Sequence, residues 1–378
     1  MLSKGFEVEL YTATPQGEVV GLSDRIVRDL QGFVREPDSR NVEYTTPPLN
    51  RYEQLLVALL QPRRILRAYL KTLGDYTIMP GSTIPLWHEH RFFRSDPQNP
   101  YHAYIEQTYG TRVVTASVHI NIGISDPETL FRVCRVIRLE APLYLALSAS
   151  SPFYRGEVTG YHSARWQMFP KTPPIVPLFR SHQHYIEWTN AQLALGTMQN
   201  VRHLWCAVRP NGTNRPYDLN RLELRICDLV IDPTHLLAIT ALLEGRIQQI
   251  ISTNLDIYGQ FTPVELQEMS DANELLAARN SLDAELIHWQ TGEKILARDW
   301  LKTLYEQVYP LWKQQGNVCF LTPLLQILSI GNEAQQWLAQ LEKGKSIHTV
   351  VAESIQAITA QEEWLAQTLG VVNSPQLA

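Results

Sequence analysis

Four segments of the chain alternate apolar and polar residues with a period of two. In GFEVEL, Phe6, Val8 and Leu10 alternate with Glu7 and Glu9. In NVEYTTPP, Val42 and Tyr44 alternate with Glu43 and Thr45, and a proline pair closes the segment. In RVVTASVHINIGI, Val118, Ile120 and Ile122 oppose Ser117, His119 and Asn121. In NRLELRICD, Leu222, Leu224 and Ile226 oppose Arg221, Glu223 and Arg225. Alternate residues of a strand share a face. Each segment therefore predicts a strand with one apolar side, to be covered by helices in an α+β fold, and one polar side.

The remaining pattern is helical. Asn50 and Glu53 form a capping-box candidate ahead of LLVALL, with Pro62 expected to break or kink that helix. Asp126-Pro127-Glu128 and Asp232-Pro233 each place a cap and a first-turn proline before an apolar run. NEAQQWLAQLEKG and SIHTVVAESIQAITAQEEWLAQTL carry helical spacing, with Trp337 and Trp364 read as core residues. Past residue 232 the pattern is almost wholly helical. This predicts a sheet-and-helix part over 1–232 and a mainly helical part over 233–378, packed together as one structural unit. KTPPIVPLF reads as a crossing loop or a lid.

Composition narrows what the polar faces do. The net charge of −5 over 378 residues opposes nucleic-acid binding, which needs a basic face. The four cysteines have no metal spacing and read as reduced thiols. No apolar run approaches the ~20 residues of a membrane span, and Glu7 and Glu9 interrupt any signal-peptide core. A soluble, cytoplasmic protein is expected. A single wet strand face is ordinary in antiparallel sheets. Four faces set with Glu, His, Asn and Arg and almost no Lys are not. Carboxylates and imidazole suit Mg²⁺ or Mn²⁺, and arginine suits carboxylate and phosphate. If the strands are neighbours, the acids repel one another unless cations sit between them.

Six blocks also carry a resemblance: GFEVEL, REPDSRNVEYTTPP, VTASVHINIGI, ALSASSPFYRGEVTGYHSAR, NRLELRICD and, more weakly, NELLAARNSLDAEL. In this order they resemble the glutamate–cysteine ligases, most closely the cyanobacterial type within the carboxylate–amine ligase group. The resemblance implies a glutamine synthetase-like catalytic fold, a curved and mainly antiparallel sheet whose inner face forms a funnel, with helices outside. It implies ATP-dependent joining of the γ-carboxylate of L-glutamate to the amino group of L-cysteine, the first step of glutathione synthesis. ATP and Mg²⁺ (or Mn²⁺) are the implied cofactors, and a homodimer is compatible with it.

Roles come with the resemblance. Glu7, Glu9, Glu43, His119 and Glu223 look like metal ligands. Arg225 and Arg165 look like phosphate and substrate contacts, and Glu36 like an acid near metal and amine. Ser163, Thr45 and Asn121 look like substrate- or nucleotide-facing residues. Two departures stand out: Asp38 competes with Glu36 for its role, and Ser281 replaces a common glycine, which unsettles Asn273 and Arg279.

Other readings compete: a ligase with a different amine, an ATP- or amino-acid-binding relative without catalysis, a phosphotransferase to a guanidino acceptor, or a metal hydrolase built on histidine pairs. LEKGKS lacks a P-loop because Ala339 stands where the first glycine must be. His88 and His90, and likewise His182 and His184, have no evident third zinc ligand and read as loop or strand-edge residues.

Overall fold

The computed structural model describes residues 1–371. The strands are β1 (Lys4–Ala13), β2 (Phe33–Arg35), β3 (Asn41–Thr45), β4 (Thr77–Met79), β5 (Val118–Gly123), the short pair β6 (Phe153–Tyr154) and β7 (Glu157–Val158), β8 (Val208–Asn211), β9 (Arg221–Leu224) and, within the mainly helical part, the hairpin of β10 (Glu285–Ile287) and β11 (Lys294–Leu296). Seven of them make one sheet in the order β2-β3-β1-β5-β9-β8, with β4 pairing the far end of β1. Every pairing is antiparallel. The four alternating segments thus lie side by side.

Their apolar sides are closed off. Phe6, Val8, Leu10, Val42, Tyr44, Val118, Ile120, Ile122, Leu222 and Leu224 are all buried. Helices Tyr52–Leu73 and Pro127–Ser148 lie against that side. The Tyr44 hydroxyl donates to the Leu59 carbonyl (3.1 Å) and accepts from Arg63 Nε (2.9 Å). Helix Pro127–Ser148 is buried nearly all round, the pattern of a central helix. Helix Pro233–Thr253 packs on both. One apolar cluster runs from Phe6 to Leu365 and includes residues on both sides of position 232.

The Asp126 and Asp232 caps form as expected, accepting from Thr129 N–H and from Thr234 and His235 N–H. The Asn50 capping box does not. The helix starts at Tyr52 with Arg51 as its uncapped first neighbour, because Leu49 pairs with Lys4 and the buried Lys4 ammonium holds the Asn50 carbonyl at 2.7 Å. Pro62 does not end the helix, which continues to Leu73. A mid-helix proline costs ~3 kcal/mol. Buried Leu55, Leu59, Leu66 and Leu70 straddle it, and each contributes ~1.5–3 kcal/mol. Trp337 is buried and stacks on Phe153, but Trp364 is 62% exposed. The inward stripe of helix Ile347–Thr368 runs through Val351, Ile355, Ile358 and Leu365, and Trp364 stands about 100° from Leu365.

That last helix is tied to helix Tyr52–Leu73 by charge. Glu362 is buried against Arg67 (2.8 Å) and Arg63 (3.4 Å), and Arg63 is the residue that holds Tyr44 in β3.

Candidate active site

Register decides which polar groups meet. Glu9 faces Glu43 across β1 and β3, and Val34 of β2 faces Glu43 on the far side. Glu7 faces Thr45 on one flank and His119 on the other. Asn121 faces Glu223, and Glu223 faces Arg209 of β8. The polar sides of five strands, β3, β1, β5, β9 and β8, therefore form one surface, acidic at β1 and β3 and rich in guanidinium at β8 and β9.

Two groups of donor atoms stand out. Glu9, Glu36 and Glu43 each bring a carboxylate oxygen within 4.8 Å of the others, and the carboxylates of Glu7 and Glu223 meet a ring nitrogen of His119 within the same distance. In the first group Glu9 accepts from Ser117 Oγ (2.7 Å). Among the described residues no lysine or arginine forms an ion pair with any of the three, and His119 Nε2 lies 3.9 Å from Glu9. Oxygen donors crowded in this way fit a hard divalent cation such as Mg²⁺ or Mn²⁺. In the second group His119 Nδ1 lies 3.0 Å from Glu7 and 3.6 Å from Glu223. Glu223 accepts from Arg209 Nε (2.7 Å) and Nη2 (3.1 Å), from Asn211 Nδ2 (2.7 Å) and from Arg225 Nη1. With both oxygens so engaged it has less to offer a cation than Glu43 has.

The proton affinities divide along the same line. Burial, then the Glu9 and Glu43 charges, push Glu36 well above the usual carboxylate range. Burial, then Glu7 and Glu9, push Glu43 up to about 8. Burial acts on Glu223 too, yet Arg209, Arg225 and His119 hold it well below that range. For Glu7, burial and Glu223 push up, but His119 and Arg225 prevail and hold it low. Burial opposes the Arg225 charge while Glu223 and Glu7 strengthen it, with a net rise. Repulsion among unpaired acids is what a bound cation would relieve.

The other expected residues fall in different places. Thr45 and Asn121 line a cavity of about 410 Å³ with Glu7, Thr46, Asn220 and Arg221, a volume suited to a small substrate. Asp38 is buried and accepts from Arg40 and from Phe93 N–H, away from the acidic trio. Glu36, not Asp38, stands with Glu9 and Glu43. Ser163 caps the short helix Ala164–Met168 and donates to buried Asp228 (2.8 Å). Arg165 donates to the carbonyls of Ile226 (3.1 Å) and Arg225 (3.2 Å), so it fixes the backbone carrying Arg225. Asn273 brackets the Ile287 peptide group, and Arg279 is exposed. Ser281 has a φ of 45°, in the region that favours glycine, and its hydroxyl bonds His162 at 2.6 Å. His88 and His90 bond Leu86 and Thr111, and His182 bonds Pro216.

Arg209 and Asn211 escaped the sequence reading. Pro210 stands between them, and a proline is disfavoured in a central strand, yet β8 is the sheet edge, where it is tolerated. The signal was present: Arg209 and Asn211 flank Pro210 two apart, as Glu7 and Glu9 flank Val8.

Solved structures share this architecture. A bifunctional glutathione synthetase from Pasteurella multocida superposes with a TM-score of 0.75 at 16% identity, over 96% of this chain and 52% of that one. The glutamate–cysteine ligase of Francisella tularensis, in complex with AMP, gives 0.70 at 14% identity, over 96% and 89%. At these identities the likeness is one of fold alone. Sequence goes further: residues 3–361 match the model of glutamate-cysteine ligase family 2, and the chain belongs to that family. Among relatives, the "Putative glutamate--cysteine ligase 2" of Sorangium cellulosum is 30% identical over 63% of this chain and 62% of its own length. That of Herpetosiphon aurantiacus is 29% identical over 68% and 66%. The match spans just under two thirds of these two relatives. No helix among the described residues is long and apolar enough to cross a membrane.

Proposed function

We propose that the protein is an ATP-dependent carboxylate–amine ligase that joins the γ-carboxylate of L-glutamate to the amino group of L-cysteine. One observation carries this reading: two sets of metal-capable side chains lie beside a row of guanidiniums on one face of an antiparallel sheet with the family's fold.

A carboxylate does not condense with an amine in water at neutral pH, because oxide would have to leave. In the proposed reaction a γ-carboxylate oxygen attacks the γ-phosphorus of ATP, and ADP departs. The amine nitrogen then attacks the acyl carbon of γ-glutamyl phosphate, phosphate leaves, and a proton is lost from nitrogen. Bound divalent cations would neutralise the transferring phosphoryl group. Glu9, Glu36 and Glu43 would hold one, and Glu7 with His119 and Glu223 the other. Arg225 presents fixed positive charge beside both sets, the kind of oriented group worth ~2–4 kcal/mol to such a barrier. Arg165 positions Arg225 through its carbonyl. Glu36 would attract the ammonium of the incoming amine and help remove its proton.

The test is phosphate release from ATP and Mg²⁺ with L-glutamate, with and without L-cysteine, and mass spectrometry of the product. Cysteine-dependent release with a γ-glutamylcysteine mass supports the reading. Turnover with another amine keeps the ligase chemistry and replaces the acceptor. Phosphorylated acceptor without a new amide bond, or no turnover with any amino acid, refutes it.

A further inference from the structure

Four arginines gather at the β8–β9 end of the polar face, and three bond protein acceptors through their guanidinium groups, though Arg165 Nε is buried without a partner. Arg165 holds the Ile226 and Arg225 carbonyls. Arg209 holds Glu223 and the carbonyls of Arg202 (3.1 Å) and Leu204 (2.8 Å). Arg225 holds Glu223. Arg215 differs. It has no ion pair among the described residues, and its Nη1 is buried without a hydrogen-bond partner. A buried guanidinium N–H lacking an acceptor is costly. Six other arginines leave one such nitrogen unpartnered, but each bonds a protein acceptor through another nitrogen, whereas the Arg215 side chain bonds none among the described residues.

Its support is firm. Arg215 sits in the hairpin between β8 and β9, where Asn214 bridges Asp218 and His182 Nε2 bonds the Pro216 carbonyl at 2.8 Å. After burial, the charges that act on it are those of Arg209, Glu223 and Arg225, which lie on the polar face; they leave it at about 10, still a cation at neutral pH. Arg209 and Arg225 already share the Glu223 carboxylate at this edge, and Arg215 adds a third cation. The uncompensated charge invites an anion.

We propose that Arg215 is a substrate-anchoring residue whose free N–H groups take a carboxylate or phosphate oxygen at the β8–β9 edge of the polar face. This rests on the reading of that face as the substrate site. A planar, rigidly held guanidinium suits either oxyanion. The source is a phosphate of the nucleotide or a carboxylate of the acid substrate.

The experiment is calorimetric titration of the full chain and of Arg215→Gln and Arg215→Lys, with Mg²⁺ and a non-hydrolysable ATP analogue, and separately with L-glutamate. We expect Arg215→Gln to weaken one of the two by about tenfold to a hundredfold. The other stays within twofold, Arg215→Lys recovers part of the loss, and the melting temperature holds. Weakened nucleotide assigns the phosphate; weakened glutamate assigns the carboxylate. Unchanged affinity for both overturns the proposal. So does an equal loss for both with a lowered melting temperature, or a parent that binds neither. A parent that binds but forms no γ-glutamyl product refutes the ligase reading alone, since the affinity ratio still judges Arg215.

Discussion

Replacing Glu43 by glutamine should make the cation-free protein more stable above neutral pH. Glu43 is raised from 4.5 to about 8 by burial, Glu7 and Glu9. At about 1.4 kcal/mol per pH unit that separates its protonation states by ~5 kcal/mol, and ~2–5 is a fair range after relaxation. Between pH 4.5 and 8 the folded chain holds a proton there that the unfolded chain has lost. Stability from this group is therefore full below about 4.5 and is lost as pH rises through about 8. Glu36 acts in the same direction. The assay is thermal melting from pH 5.5 to 8.5, with chelator or with millimolar Mg²⁺ or Mn²⁺. In chelator the parent should lose ~3–6 °C more than Glu43→Gln across that range, taking ~0.8 kcal/mol per degree for a chain this long. Glu333, also near 8, titrates in the same window, so the difference between the two proteins is the quantity to read. Mg²⁺ should stabilise the parent more at pH 8.5 than at 5.5. Glu223→Gln should do the opposite of Glu43→Gln. It leaves Arg209 and Arg225 buried around a neutral amide, at a cost of ~3–5 kcal/mol. Equal pH slopes in parent and Glu43→Gln, or a cation effect independent of pH, would refute the reasoning.

Glu36→Gln should abolish ligation while melting at or above the parent temperature. Asp38→Asn should lower stability by ~2–4 kcal/mol through the loss of its buried pair with Arg40, read by urea denaturation. Trp337→Ala should cost ~3–5 kcal/mol in the same measurement and Trp364→Ala less than ~0.5, because only the first fills the core.

Much of the polar face was legible because period two is a local signal. Glu7, Glu43, His119 and Glu223 declared their side of the sheet within five residues of themselves. What stayed hidden was set by partners distant in sequence. Nothing near Ser163 and Arg165 shows that the first turns to Asp228 and the second to the Arg225 carbonyl. Nothing near Asp38 shows that Arg40 and Phe93 absorb its carboxylate. The helix at Tyr52 began late because Lys4, from the first strand, held the Asn50 carbonyl. The edge position of β8, which makes Pro210 acceptable, is a property of the whole sheet.

The contact of Glu362 with Arg63 and Arg67 bears on how the chain is made. Arg63 holds Tyr44, which neighbours Glu43 in β3, so an early strand is braced through a residue translated some three hundred positions later. Until Glu362 has left the ribosome, two arginines destined for burial have no counter-charge. β1 must also wait for residues 118–122 to pair along its inner edge, and they in turn for Leu222 and Leu224. Pairings this distant in sequence make for slow folding. The nascent chain therefore carries an apolar sheet side and unpaired strand edges through most of its synthesis, the interval in which aggregation competes with folding.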